Sequence, residues 1–238
     1  MQAAGFGVRG LRALELVGVA ASGKTTLFRA LLRSERFAPG VPVRGHAHLR
    51  HGLVPAARLL PAWLGAGGRW LNEKELRSLS YVAGWAEGVE RAQPGDPVAL
   101  FDHGPLFRIA RLRAFGPPLV ASAPFRRWAA AAVRRWAGLL GGVIWLDAPD
   151  DLLLARIEGR AERHRMQGES AEHTRRFIAR YRAAYESLLR ELALAGGPEA
   201  LRIDTSAEPA TAIADRLLAQ LGQGPALERH AGRRQATP

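Results

Sequence analysis

At 238 residues with 47% apolar side chains, the chain suits one α/β domain that buries roughly 70–75% of its unfolded surface, which excludes a fibrous or wholly disordered protein. It has no cysteine, so neither a disulfide framework nor a thiolate metal site is available. The formal charge of +12 would suit a polyphosphate, but only Lys24 and Lys74 are lysines and the arginines are spread along the chain, clustering only at Arg156–Arg165 and in the tail. Nucleic acid is therefore not expected as a partner.

The opening "MQAAGFGVRG" lacks the continuous apolar segment of a signal peptide, and the longest useful apolar run, Leu139 to Leu146, is far short of a membrane span. The expectation is a cytoplasmic protein with no membrane partner. "LRALELVGV" reads as a buried strand, followed by a helix starting at Gly23 or Lys24 and running to about Ser34. "VPVRG", Val41 to Gly45, suggests a short second strand. Residues Gly52 to Gly65 and Asn72 to Ala92 read as helices. In the second, Leu76, Leu79, Val82, Ala83 and Ala86 form an apolar stripe, and Asn72 caps a first turn carrying Glu73 and Glu75.

After the "QPGD" break, "PVALFD" (Pro97–Asp102) reads as a buried parallel strand, and Pro105 opens a helix that stops before Pro117-Pro118. Phe125 to Leu140 predicts another helix stopped by Gly141-Gly142, with "GVIWLD" (Gly142–Asp147) as the next strand. A helix from Pro149 through Arg160, a long one from Ala171 to Ala195, the strand "ALRIDT" and a closing helix from Pro209 to Leu221 complete the pattern. Residues 222–238 turn Gly/Pro/polar and are expected to form a disordered basic tail behind a domain covering 1–221. Strands alternating with helices predict a three-layer α/β/α fold around a mostly parallel five-stranded sheet, with ligands outside the carboxyl ends of the strands.

Four stretches fall at those ends. Gly18-Val19-Ala20-Ala21-Ser22-Gly23-Lys24-Thr25 satisfies the phosphate-loop pattern between a strand and a helix. Gly18 and Gly23 permit a turn in which successive N–H groups from Ala20 to Thr26 converge on an anion, helped by the helix dipole. Lys24 would reach the β- and γ-phosphates, and the Thr25 hydroxyl would ligate Mg²⁺. Asp102 ends a buried strand, where a carboxylate can hold Mg²⁺, accept a substrate proton, or simply cap the following helix. If the helix after Pro149 continues, Arg156, Arg160 and Arg163 at i, i+4 and i+7 share a face and invite an anionic partner. Pairing with Glu158, Glu162 and Glu169 is the bland alternative. Finally, "VRGHAHLRHG" gathers Arg44, His46, His48, Arg50 and His51, open to an anion-binding, surface or metal-binding reading.

Phosphate loop, carboxylate-ended strand, "LDAP", "ARIEGR" and a long helix with Tyr181 and Tyr185 occur in that order. This pattern resembles the P-loop nucleoside and nucleotide kinase superfamily, nearest to its deoxynucleoside kinase and thymidylate kinase branches, over roughly Leu14 to Leu221. The resemblance implies a phosphotransferase using ATP and Mg²⁺ on a small-molecule acceptor: a nucleoside, nucleotide or related metabolite. It implies catalytic roles for Lys24, Asp102 and Arg160, metal contacts from Thr25 and Asp102, and nucleotide contacts from the loop with Arg156, Arg160 and, as the third, Arg163 or Arg165 of a lid spanning about 156–170. Asp204-Thr205-Ser206 would lie near the adenine, Asp147 would be non-catalytic, and a homodimer is left open. His103 stands where those families usually place an arginine, and no carboxylate follows the second strand. The "VRGHAHLRHG" stretch that stands there instead favours an anionic or sugar-like acceptor over a nucleoside. A nucleotide-dependent regulatory NTPase and a polynucleotide-end kinase are the alternatives; the guanine-reading Asn-Lys-x-Asp stretch is absent.

Overall fold

The computed structural model describes residues 11–40, 47–66, 68–161 and 164–222. Among the described residues five strands form one sheet: β1 (Ala13–Gly18), β2 (Phe37–Pro39), β3 (Val98–Phe101), β4 (Leu140–Asp147) and β5 (Ala200–Asp204). Their spatial order is β2-β3-β1-β4-β5 and every pairing is parallel. Such a sheet needs helical crossovers and is covered on both faces, which explains the near-continuous apolar runs in β1, β3 and β4.

The pleat sorts β1 between two cores. Leu14 and Leu16 join Leu100, Ile144 and Leu146 beneath α1 (Lys24–Leu31) and α8 (Ala210–Gly222), which contribute Leu27, Leu31, Ile213 and Leu217. Ala13 and Val17 face the larger core. It is built with α3 (Glu73–Glu90), α4 (Pro105–Phe115), α5 (Ala123–Ala137) and α7 (Ala171–Leu194). Glu15, between Ala13 and Val17, faces that same side and is fully buried.

Several boundaries follow sequence chemistry. Asn72 caps α3 with its side chain accepting from the Glu75 N–H, while Glu75 accepts from the Asn72 N–H, a reciprocal pair that satisfies two of the helix's orphan donors. Pro105 occupies the first turn of α4, where no N–H is needed. Trp136, buried within α5, donates its indole N–H to the Val82 carbonyl of α3 at 3.0 Å.

Other boundaries differ from expectation. The strand expected at Val41–Gly45 lies outside the described residues; the second strand that is described is Phe37–Pro39, anchored by the buried Phe37. The next helix, α2 (Ala47–Ala66), begins five residues before Gly52 and runs through Pro55 and Pro61. The Gly141-Gly142 pair does not stop α5. That helix ends at Gly138, and β4 already starts at Leu140. The register against β1 slips between Ala13 and Leu14, so Gly141 is the extra residue of a bulge, where a Cβ would lie 2.3 Å from Leu11 Cδ1.

The helix α6 (Asp150–Glu158) ends at Gly159, before Arg160. A continuous helical face presenting Arg156, Arg160 and Arg163 is therefore not formed, because the chain leaves helical geometry between the first and second arginine. Arg163 and the 223–238 part of the expected tail lie outside the described residues. Among the described residues no helix is long and apolar enough to cross a membrane.

Candidate functional site

The loop between β1 and α1 adopts a conformation that ordinary residues disfavour. Gly18 and Gly23 have φ of 144° and 88°, and Ala21, at φ 61°, is the one described non-glycine residue with positive φ. A left-handed residue with a Cβ costs of order 1–3 kcal/mol and persists only where its surroundings enforce it. Gly18 is required by space as well, since a Cβ there would meet the Leu146 carbonyl oxygen at 2.1 Å. Gly23 caps α1 with no side-chain hydrogen bond to the first-turn N–H groups, so those donors remain available to an anion.

Lys24 is 8% exposed, and its Nζ donates across the loop to the Val19 carbonyl at 2.7 Å. Burial lowers its pKa to about 8; Asp102 opposes that shift and Arg160 adds to it. Thr25 Oγ1 donates to Asp102 Oδ2 at 2.8 Å. This contact is a direct product of topology. The β1–β3 pairing sets Glu15 opposite Phe101, so the residue after Phe101 stands beside the loop that follows Gly18. Asp102 Oδ1 is buried and has no hydrogen-bond partner. An unpartnered buried carboxylate oxygen beside a threonine hydroxyl is a donor set suited to a hard cation. Asp102 is not the cap of α4; Gly104 holds that position.

His103 follows, with Nδ1 3.5 Å from Asp102 Oδ2. Burial, reinforced by the charges of Lys24, Arg108 and Arg111, lowers its pKa below the usual imidazole value despite Asp102, keeping it neutral at pH 7.

The cap that Asp102 does not supply comes from Glu15. Its Oε2 accepts from Leu106 N at 3.0 Å and its Oε1 from Phe107 N at 2.9 Å. This carboxylate, from the middle of β1, ties the start of α4 to the strand that carries the phosphate loop. Burial raises its pKa to about 8, opposed by the two backbone donors and by Arg108. Sequence reasoning passed over Glu15, although a lone charge inside "ALELVG" was the available signal.

On the other side of the loop, Arg156 reaches from α6. Its guanidinium donates to Thr205 Oγ1 at 3.0 Å and to the Thr205 carbonyl at 2.9 Å, with a longer contact of 3.5 Å to the Ala21 carbonyl. Thr205 is itself held on the end of β4, donating N–H and Oγ1 to the Asp147 carbonyl at 2.8 and 3.1 Å. Asp147 is occupied by Arg182, which donates to both of its carboxylate oxygens.

These groups open on one cavity of about 650 Å³. Of the residues singled out from the sequence, Gly18, Ala20, Ala21, Gly23, Lys24, Thr25, Thr26, Arg156 and Arg160 line it. Ser22 is buried behind the loop with an unpartnered hydroxyl, and Asp102 sits behind Thr25. His51 does not line the cavity and pairs with Glu87; His46 lies outside the described residues. Among the described residues no group of three His, Asp or Glu side chains could hold a metal ion.

Tyr181 of α7 and Arg165 between α6 and α7, also named from the sequence, line it too, beside walls that were not singled out: Phe107 and Arg111 from α4 and Phe177 from α7. The i, i+4 spacing of each helical pair was a readable sign that they share a face.

No family model matches the chain, and no curated protein matches it. Among solved structures, the chain is similar to a deoxyadenosine kinase from M. mycoides with bound dATP. The two share 11% sequence identity and a TM-score of 0.48, over 88% of this chain and 99% of that one.

Proposed function

We propose that this chain is an ATP- and Mg²⁺-dependent phosphotransferase acting on a small-molecule acceptor. The observation that carries the reading is the hydrogen bond of 2.8 Å between Thr25 of the phosphate loop and Asp102 at the end of the neighbouring strand. It joins an anion cradle to a carboxylate whose second oxygen is buried and unpartnered.

The roles follow from the chemistry of each group. Backbone N–H groups from Ala20 to Thr26 and the Lys24 ammonium hold the triphosphate, and the Thr205–Ala210 end of the cavity takes the base. Thr25 and Asp102 would hold Mg²⁺, which supplies positive charge to the phosphate oxygens. Arg156 and Arg160 add charge where it develops during transfer. The acceptor hydroxyl gives its proton to the Asp102 carboxylate. Its oxygen bonds to the γ-phosphorus as the bond to the bridging oxygen breaks, and ADP leaves.

The test is acceptor-dependent turnover by the full-length protein, with ADP release and phosphorylated product followed together. An active acceptor should yield one product per ADP. Lys24→Ala and Asp102→Asn should each cut kcat/KM about 10²–10³-fold, the scale of losing a preorganised charge contact in the transition state. Equal ADP release with and without every acceptor would overturn the transferase reading in favour of a simple NTPase, as would full activity in Lys24→Ala.

A further inference from the structure

The helix α2 is apolar on two sides, although only one of them is covered. Its inner face packs closely on α3, where a Cβ on Gly52 would lie 2.2 Å from Ser80 Oγ. Leu59 is buried in the larger core, with Trp63 packed against it. Helical periodicity sets Leu53, Ala57, Leu60, Pro61 and Leu64 on the opposite side, and all five are exposed. Leu53 is 62% exposed and Leu64 70%. Four of the five large apolar side chains that stand exposed among the described residues belong to this helix. Single surface leucines need no explanation; a continuous stripe of them marks an interaction surface.

The surroundings of the stripe are cationic. Residues 36–72 hold five arginines and no aspartate or glutamate. Residues 103–146, which include a 3₁₀ turn (Pro118–Ala121) and α5, hold no acid either. Both of those elements touch α2, and a Cβ on Gly68, just past the helix, would lie 3.4 Å from Pro118 Cγ. Arg58 of α2 is exposed, as are Arg126 and Arg127 near the start of α5. The acids of the neighbouring α3 are all paired: Glu73 with Arg77, Glu75 with Arg69, Glu87 with Arg91 and His51, and Glu90 with Arg135. Nothing acidic within these segments competes for an anionic partner.

Side-chain chemistry narrows what covers the stripe. From Ala47 to Ala66 there is no Ser, Thr, Asn, Gln, Asp or Glu. A protein–protein interface carries about one hydrogen bond per 100–200 Å², and this face has little with which to make them. A second copy would set two acid-free, arginine-bearing surfaces against each other, where like charges repel. A bilayer surface makes neither demand. Leucines enter the acyl boundary, indoles sit at headgroup level and guanidinium groups meet lipid phosphates. Trp63 and the nearby Trp70, both partly exposed and edge-on at 5.3 Å, supply indoles at the C-terminal end of α2.

We propose that α2 docks the protein on an anionic lipid surface, lying in the interface plane with Leu53, Leu60 and Leu64 inserted and the neighbouring arginines answering the lipid phosphates. The contact is peripheral, since α2 is not long and apolar enough to cross a bilayer. The expectation of no membrane partner came from the lack of a span and of a signal peptide, and a surface contact needs neither. The docking surface stands independently of the phosphotransferase reading.

The test is partition of the full-length protein, by flotation, onto vesicles of phosphatidylcholine mixed with phosphatidylglycerol and onto vesicles of phosphatidylcholine alone. The mixed vesicles should bind it at least about tenfold more strongly, as several guanidinium groups beside a negative surface require. Leu60→Gln combined with Leu64→Gln should lower partition onto them about 10- to 100-fold, and Arg58→Gln about fivefold. Binding of a non-hydrolysable ATP analogue, measured on the same samples, should not change. Leu194→Gln alters a leucine that is 88% exposed at the end of α7 and should leave partition as it was.

Should the double variant fail to fold, Leu53→Gln carries the same readout. No partition onto either vesicle, partition indifferent to the α2 leucines, or an equal loss in Leu194→Gln would overturn the docking surface. So would a dimer in vesicle-free sedimentation that the α2 substitutions dissolve, which would give the stripe to a second copy.

Discussion

Burial holds the Lys24 ammonium at a pKa of about 8, well below the lysine norm, with its Nζ drawn to the Val19 carbonyl. A triphosphate seated on the loop places negative charge beside that group and raises its pKa. Proton linkage then fixes the pH response of nucleotide binding. Below pH 8 Lys24 already carries its proton, and binding takes none up. Above pH 8 binding must import one, so affinity for a non-hydrolysable ATP analogue should fall about tenfold per pH unit until the raised pKa of the complex is reached. Calorimetry in two buffers of different ionisation heat measures this directly. Uptake should approach one proton at pH 9.5 and vanish near pH 7. No uptake at high pH would mean that Lys24 does not meet the phosphates.

Glu15 acts at the scale of elements, because it connects β1 to α4 by accepting both Leu106 and Phe107 N–H groups. The junction is tight. A Cβ on Gly104 would lie 2.6 Å from Phe101 Cβ and 2.7 Å from Glu15 Cδ, so Gly104→Ala must push α4 away from β1 and should cost about 1–3 kcal/mol of stability. Chemical denaturation at neutral pH would register it. Burial also raises the folded-state pKa of Glu15 from 4.5 to about 8. Between those values the folded state binds more protons than the unfolded one, so this group's contribution to stability declines as pH rises from about 4.5 through 8, by an amount on the order of a few kcal/mol. Glu15→Gln removes the titration and should flatten that window of the stability profile. Its amide also replaces one acceptor oxygen with an N–H donor, so above about pH 8, where ionised Glu15 accepts both backbone N–H groups, kcat should fall as the α4 start, and Asp102 with it, loses part of its tether. An unchanged stability profile would exclude Glu15 as the titrating group.

At the scale of the whole molecule, what was legible in the sequence was local. Apolar runs bounded by Gly and Pro, the Asn72 cap, and a phosphate loop that carries its own strand and helix all sit within short windows, and each is found in the fold. What escaped depends on distant contacts or on where a helix ends. The role of Glu15 needs a partner 91 residues further on. The arginine face assumed a helix that Gly159 ends, and the Gly141 bulge is defined only by the register with β1. The site itself assembles from the ends of β1, β3 and β5 and the exit of α6, so a bound nucleotide should tie these elements together and not merely fill a hole. An ATP analogue at one hundred times its Kd stabilises the folded state by about 2.7 kcal/mol, which for a chain of this size raises Tm by about 5–11 °C. Arg156 is the strut of that assembly, linking α6 to Thr205 after β5 and to Ala21 of the loop. Arg156→Ala should shrink the ligand-induced shift at fixed analogue concentration by more than it lowers the Tm of the protein without nucleotide, since the guanidinium adds phosphate contacts to its structural ones. Equal losses in both conditions would make Arg156 a scaffold residue with no part in nucleotide binding.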